Sequence, residues 1–297
     1  MPAPAALLQS RLNTALRSFL LGGVTPISAS ALPGDPGLLG PDSVSWRVLA
    51  DASSLLGGVR ALLQQACHPL VMQGVADHSA FRYDPLGRLQ RTVAYVAVMT
   101  YGSLDEVHQM AAAVNAAHKH VRGVMDDGTE YSADDPHLKM WVHCTLTESL
   151  LLAWQAYGPD RLTPAEADQF VAEQASTVVL LGVLDAPLTV AELDETLTQF
   201  RSELRATAAT AEAARFIMRP PLSPAVFPAY QIVFWGAVAL LENRHRDILK
   251  IPNVPPARVV TRALGRAFTA LWRAFIPDGD IRRTAQARVV AGAKGSA

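Results

Sequence analysis

The stretch DPLGRLQRTVAYVAVMTYGSLDE, residues 84–106, carries two helix boundaries in one line. Asp84 followed by Pro85 reads as an N-cap with proline at the first helical position, where its missing N–H has no helical partner to lose. The helix it opens ends at Gly102. Ser103 and Glu106 then form a capping box, and the spacing carries the next helix on to Arg122. The same grammar recurs downstream. Asp135-Pro136 opens a helix that Gly158 closes, and Thr163-Pro164 with Glu166 opens one that ends at Gly182. Thr189 and Glu192 open another, and further helices are expected near residues 225–241 and 256–275. Between them lie loops punctuated by glycine and proline, such as MDDGTEYSADDP and MRPPLSP. Strand signals are almost absent and no repeat is evident. The expected fold is therefore all-α, with about ten helices. No composition shift marks a boundary, so one domain is expected over residues 1–297, with an N-terminal amphipathic helix over 4–22 and a frayed tail beyond the 256–275 helix.

Bulk composition narrows the functions. The chain has 297 residues, 50% of them hydrophobic and 18% charged, with a net charge of −1. That is too apolar for a disordered protein and lacks the basic surplus that a nucleic-acid phosphate backbone requires. Cys67 and Cys144 lie in apolar helical contexts and read as reduced, buried thiols of a cytoplasmic protein. The N-terminal ALLQSRLNTALRSFLLGG is interrupted by Arg11 and Arg17, so it reads as an amphipathic helix, able to touch a membrane surface, rather than as a leader. The longest apolar run, Ile232 to Leu241, is too short to cross a bilayer, which takes about 20 residues.

Seven of the eight histidines fall between His68 and His143. Val107, Ala111, Val114 and His118 recur on one helical stripe, so His118 is expected to face inward, either as a core histidine bonded to a carbonyl or as a ligand. Arg122 follows at i+4. On the preceding helix Arg88, Arg91, Thr92 and Tyr95 form a polar stripe between apolar flanks. This stripe is either a solvated face or a buried one. The acids close by in sequence are Asp77, Asp84, Asp105 and Glu106, the last three at caps, so buried arginines would require an anion from elsewhere. A cofactor with a metal and two carboxylates would meet all of these demands, as haem does: a neutral imidazole supplies an axial bond and guanidiniums grip the carboxylates. Competing motifs are missing. There is no HExxH, no Glu-x-x-His, no GxGxxG, no GxxxxGK[ST] and no GxSxG. His118 and His120 point to different sides of a helix, a poor zinc chelate.

Longer stretches carry a resemblance. GPDSVSWRVLADASSLLGGVRALLQQACHPLVMQGVADHSAFRYDPLGRLQRTVAYV, NAAHKHVRG, YSADDPHLKMWVH and PAY…AVALLENRHRDIL together resemble the MpaB-type oxygenases, the superfamily that includes latex clearing protein, over roughly Leu38 to Pro252. The resemblance implies an all-α fold around a buried haem b, with His118 of the H-x-x-V-R-G motif as proximal iron ligand and Arg122 as its arginine. It places Arg88, Arg91 and Thr92 in the haem pocket. Members of the superfamily cleave carbon–carbon double bonds of isoprenoid chains with dioxygen. Three features depart from latex clearing proteins. Arg91 stands where they carry a lysine near the iron. Asn115 stands where they carry an arginine three residues before the proximal histidine. Their pocket glutamate has no evident counterpart, and Glu148 is the acid to inspect as a base. His68, His78, Tyr131 and His143 are candidates to line the pocket or support it from behind, and Trp141 is expected in the core. The implied function is a haem-b-dependent oxygenase acting with dioxygen on a hydrophobic, unsaturated or isoprenoid-like substrate. The alternatives are a non-catalytic carrier of haem or of a hydrophobic ligand, and a helical protein whose arginines all face water.

Overall fold

A computed structural model describes residues 26–27, 33–79, 83–275 and 280–293. The helix expected over residues 4–22 lies outside them. The described helices are α1 (Val44–Ala50), α2 (Ser53–Gln65), α3 (Pro69–His78), α4 (Pro85–Tyr101), α5 (Leu104–His118), α6 (Pro136–Tyr157), α7 (Pro164–Val179), α8 (Val190–Gln199), α9 (Ala208–Met218), α10 (Phe227–Val238), α11 (Asn243–Leu249), α12 (Pro255–Phe275) and α13 (Asp280–Ala293). Their starts are set by the side chains that the sequence marks. Ser103, Thr163 and Thr189 each accept the N–H of the glutamate three residues on, and each glutamate accepts the N–H of its cap in return. Asp84 accepts from Gly87 and Asp135 from His137. The fold is all-α apart from one small hairpin.

The centre is the α2–α6 pair. Gly57 lets the two helices meet, since a Cβ there would lie 3.0 Å from the Ser149 carbonyl oxygen and 3.2 Å from the Ala153 Cβ. One turn on, Arg60 is fully buried. Its Nη1 donates to Gln64 Oε1 (2.7 Å), Ser149 Oγ (2.7 Å) and Glu148 Oε2 (2.9 Å), and its Nε donates to the Leu240 carbonyl (3.2 Å). This node ties α2 to α6 and to the end of α10. On one side of the pair, Val48, Trp141, Trp154, Phe170, Leu193 and Phe200 fill a core shared by α1, α6, α7 and α8. On the other, Leu63, Cys67 and Met72 pack against Ala213, Phe234 and Val238. Trp141 is in the core, as expected. Cys67 and Cys144 are free and buried, and burial pushes both thiols up to about 12. No described helix is long and apolar enough to cross a membrane.

Two expectations fail. The helix opened by Ser103 stops at His118, not at Arg122. The chain turns through Val121, whose N–H reaches the His118 carbonyl, and enters the strand β1 (Arg122–Val124), which pairs antiparallel with β2 (Glu130–Ser132). The connecting turn uses Gly128 at φ 86°, a conformation glycine adopts freely. The tail does not fray where the sequence suggests. Residues 280–293 are helical, Ala285 is fully buried, and buried Arg288 donates to the carbonyls of Asp35 (2.8 Å) and Gly102 (3.2 Å).

Candidate functional site

His118 sits at the last position of α5, half-buried. Its Nδ1 is buried and has no hydrogen-bond partner. Burial holds the ring below its ordinary value, and the Lys139 ammonium lowers it further against a smaller opposing pull from Asp134. The imidazole is therefore neutral near pH 7 and carries a free lone pair, the form that binds a metal. Lys139, on α6, is itself buried and held in place: its Nζ donates to Asp134 Oδ1 (2.6 Å) and to the Leu181 carbonyl (2.9 Å). Nothing local in the chain marks this lysine, because its role depends on a carbonyl 42 residues away. Asn115, one turn before His118, donates to the Leu180 carbonyl (2.9 Å). Tyr95 of α4, Val114 of α5 and Met140 of α6 pack on the cluster formed by Ala111, Ala175, Val178 and Leu181. The α4 stripe and the His118 face of α5 thus share one apolar wall.

The stripe itself divides. Arg88 is mostly desolvated, and burial, then Arg91, pull its pKa down. No carboxylate among the described residues lies within ion-pair range of it. Arg91 is exposed, and its Nη1 lies 3.3 Å from Asp84 Oδ2. Thr92 is exposed and its hydroxyl donates back to the Arg88 carbonyl (3.1 Å). Arg122 projects from β1 into solvent, off the helix that carries His118. Of the four side chains predicted to surround a cofactor beside His118, Arg88 alone is both desolvated and without an acid among the described residues.

His78 and Tyr131 meet behind the hairpin. Tyr131 donates to Asp77 Oδ2 (2.6 Å), and His78 Nε2 lies 3.2 Å from the Tyr131 oxygen and 3.1 Å from the Arg122 carbonyl. A carbonyl only accepts, so Nε2 carries the hydrogen. Burial, then Asp77, raises the Tyr131 phenol to about 12. Gly123 explains its place in the H-x-x-V-R-G run: a Cβ there would lie 2.5 Å from the Tyr131 oxygen. The hairpin that follows His118 is thereby pinned to the end of α3.

His68 and His143 lie apart from this cluster. His68 caps α3 ahead of Pro69, and its Nε2 donates to Glu203 Oε2 (3.1 Å), which also accepts from His137 Nε2 (3.0 Å). Burial lowers His68, partly offset by Glu203. In Glu203 the hydrogen bonds from both rings outweigh burial and hold the carboxyl below its usual range. The ligand atoms of His68, His137 and Glu203 lie within 4.8 Å of one another and could hold a metal ion. A metal on His68 Nε2 would, however, leave Nδ1–H buried without the acceptor that metal-bound histidines ordinarily have. Glu203 was invisible in the sequence because it lies 135 residues from His68. His143 is buried, its Nε2 has no partner, and burial pulls it down to about 4. Glu148 has its carboxylate committed to Arg60 and Gln64.

Comparison with known proteins agrees with this picture at the level of the family. Uncharacterized protein Mb2261 of Mycobacterium bovis and uncharacterized protein Rv2237 of Mycobacterium tuberculosis are each 31% identical to the chain over 99 residues, 33% of this chain and 38% of theirs. The match thus spans well under half the length of these curated relatives. No solved structure matches the chain. The model of the family described as "ER-bound oxygenase mpaB/B'/Rubber oxygenase, catalytic domain" matches residues 46–274, most of the chain, and the chain belongs to that family.

Proposed function

We propose that this oxygenase-family protein works with haem b and dioxygen on an apolar, unsaturated substrate of isoprenoid type. The observation that carries the reading is His118: a neutral imidazole with a buried, unpartnered nitrogen, set at a helix end above an apolar wall. The residues present fit the group at two points. His118 offers an axial nitrogen. Arg88 offers a desolvated cation with no carboxylate of its own among the described residues, the partner a propionate requires. When bound, haem supplies an iron able to activate dioxygen. The chain's own contribution is to hold and to exclude. Lys139, tied to Asp134 and Leu181, favours the neutral form of His118. Tyr95, Val114 and Met140 keep water from the wall beside it. The Tyr131–Asp77–His78 cluster fixes the hairpin that begins four residues after the ligand.

The test is the absorption spectrum of protein produced with haem supplied. A Soret band is expected in the wild type, with loss in His118→Ala and weakened retention in Arg88→Leu. A wild type without the band, or an undiminished band in His118→Ala, overturns the reading. Dioxygen uptake with squalene and polyisoprene separates turnover from a carrier role. Haem retention with no uptake on either substrate favours the carrier.

A further inference from the structure

The amphipathic helix α12 is turned inside out. Its buried positions are Gly265 and Thr269, and its arginines reach back to the core from the flank beside them, with Arg262 and Arg266 still exposed. Arg258 donates to the Leu241 carbonyl (2.7 Å), Arg262 to Ala239 (3.3 Å) and Arg266 to Ala156 (3.0 Å), while Thr269 donates to Tyr157 (2.9 Å). These acceptors are carbonyls at the C-terminal ends of α10 and α6 or, for Leu241, in the turn just beyond α10, and they need donors from outside their own helices. Capping them uses the polar side of α12, so the apolar side is left facing water. Val259 is 71% exposed, Val260 58%, Leu264 47%, Leu271 59% and Phe275 56%. The spacing of Val260, Leu264, Leu271 and Phe275 puts these four on one face, with Phe268 and Trp272 at its edge and Val259 apart from it on the arginine side. Such a contiguous apolar face on a folded protein marks an interaction surface.

The charge around the face indicates what covers it. Residues 255–275 contain four arginines and no aspartate or glutamate. Arg273 is paired with Asp51 at 2.5 and 2.8 Å, but Arg258, Arg262 and Arg266 have only carbonyl partners among the described residues. At the base of the helix a cavity of about 260 Å³ opens between Trp235, Val254 and Ala257, with Arg246 and Arg258 in its lining. Arg246 is 1% exposed and donates to the carbonyls of Val238 and Leu241. Burial, then the neighbouring Arg258 and Arg262, lower it to about 10. Buried Arg246 and half-buried Arg258 beside apolar walls, with exposed Arg262 one turn on, suit an amphiphile whose anionic head lies next to its chains.

We propose that α12 docks the protein on an anionic phospholipid bilayer, its outward apolar face entering the region between headgroups and acyl chains and a lipid phosphate seating in the pocket of Arg246 and Arg258, with Arg262 adding a nearby exposed cation. The inference is independent of the haem reading, and its test uses neither a haem spectrum nor turnover. The full-length protein is sedimented with vesicles of equimolar phosphatidylglycerol and phosphatidylcholine, and with vesicles of phosphatidylcholine alone. Binding to the mixed vesicles is expected, falling with added salt and at least roughly tenfold weaker on phosphatidylcholine. The triple variant Val260→Ser, Leu264→Ser, Leu271→Ser, whose sites are all exposed and which should keep the wild-type circular dichroism, is expected to lose it by a similar factor. The pair Arg258→Gln, Arg262→Gln should lose the preference for the anionic lipid. Absence of wild-type binding overturns the proposal. So does undiminished binding by the triple variant, which would assign membrane contact to another segment such as residues 4–22. A wild-type dimer that the triple variant converts to monomer without lipid also overturns it, since the face would then belong to a second copy.

Discussion

Replacing Glu148 with alanine decides between its two roles. Its carboxylate is 17% exposed and accepts from Arg60, whose guanidinium is 1% exposed, and from Gln64. Removing one member of a buried pair leaves the other charge uncompensated, at about 3–5 kcal/mol. The lower end applies here, because Arg60 keeps Ser149, Gln64 and the Leu240 carbonyl as neutral acceptors. Glu148→Ala should therefore cost about 3 kcal/mol in urea unfolding and lower the melting temperature by about 6 °C. Glu148→Gln, which keeps an acceptor oxygen, should lose about half as much. The double variant Arg60→Met, Glu148→Leu should recover much of the loss, since filling the site with apolar groups removes both desolvation costs. A Glu148→Ala protein within about 0.5 kcal/mol of wild type would refute the structural role. If Glu148→Gln were as stable as wild type yet inactive in dioxygen uptake, the carboxylate would belong to the chemistry instead.

Three further outcomes follow from particular side chains. His143 and His245 are both held near 4 by burial, below their unfolded value, so the folded state binds fewer protons between about pH 6.5 and 4 and stability falls as pH drops through that window. His143→Leu should unfold less readily at pH 5 than wild type and flatten the acid limb of stability against pH; an unchanged limb in chemical denaturation refutes the assignment. Gly123→Ala should displace the Tyr131 ring and cost about 1–3 kcal/mol, while lowering the Tyr131 phenol from about 12 toward its ordinary value in ultraviolet titration. Arg288→Ala should free α13 and expose residues 280–293 to proteolysis at a cost of about 2 kcal/mol, because two carbonyls lose their donor; wild-type resistance to protease argues against docking.

What the sequence disclosed was local. Asp84, Ser103, Asp135, Thr163 and Thr189 cap helices through groups two or three residues away, so their boundaries could be read directly. The end of α5 could not be read this way. No glycine or proline stops it at His118, and the stop is set by the pairing of Arg122 with Ser132 across the hairpin. Only a helix continued through Val121 would put Arg122 on the same face as His118. His118 and Arg88 were legible as polar groups on partly apolar faces, but separating Arg88 from Arg91 required Asp84, which serves as a cap and an ion-pair partner at once. The inverted docking of α12 was hidden because periodicity reports that a helix is two-faced without reporting which face turns inward.

The arginine-to-carbonyl attachment of α12 also has a thermal consequence. Most folded elements are held by apolar burial, so their detachment raises the heat capacity and their grip weakens on cooling. Releasing α12 would uncover Phe268 and the patch of Leu56, Tyr157 and Val233 beneath it, but also guanidiniums and peptide oxygens, while Val260, Leu264 and Leu271 are already hydrated. The exposed polar groups offset part of the apolar term, so the step should carry a smaller heat-capacity change than release of a helix held by apolar burial alone, and its grip should weaken less on cooling.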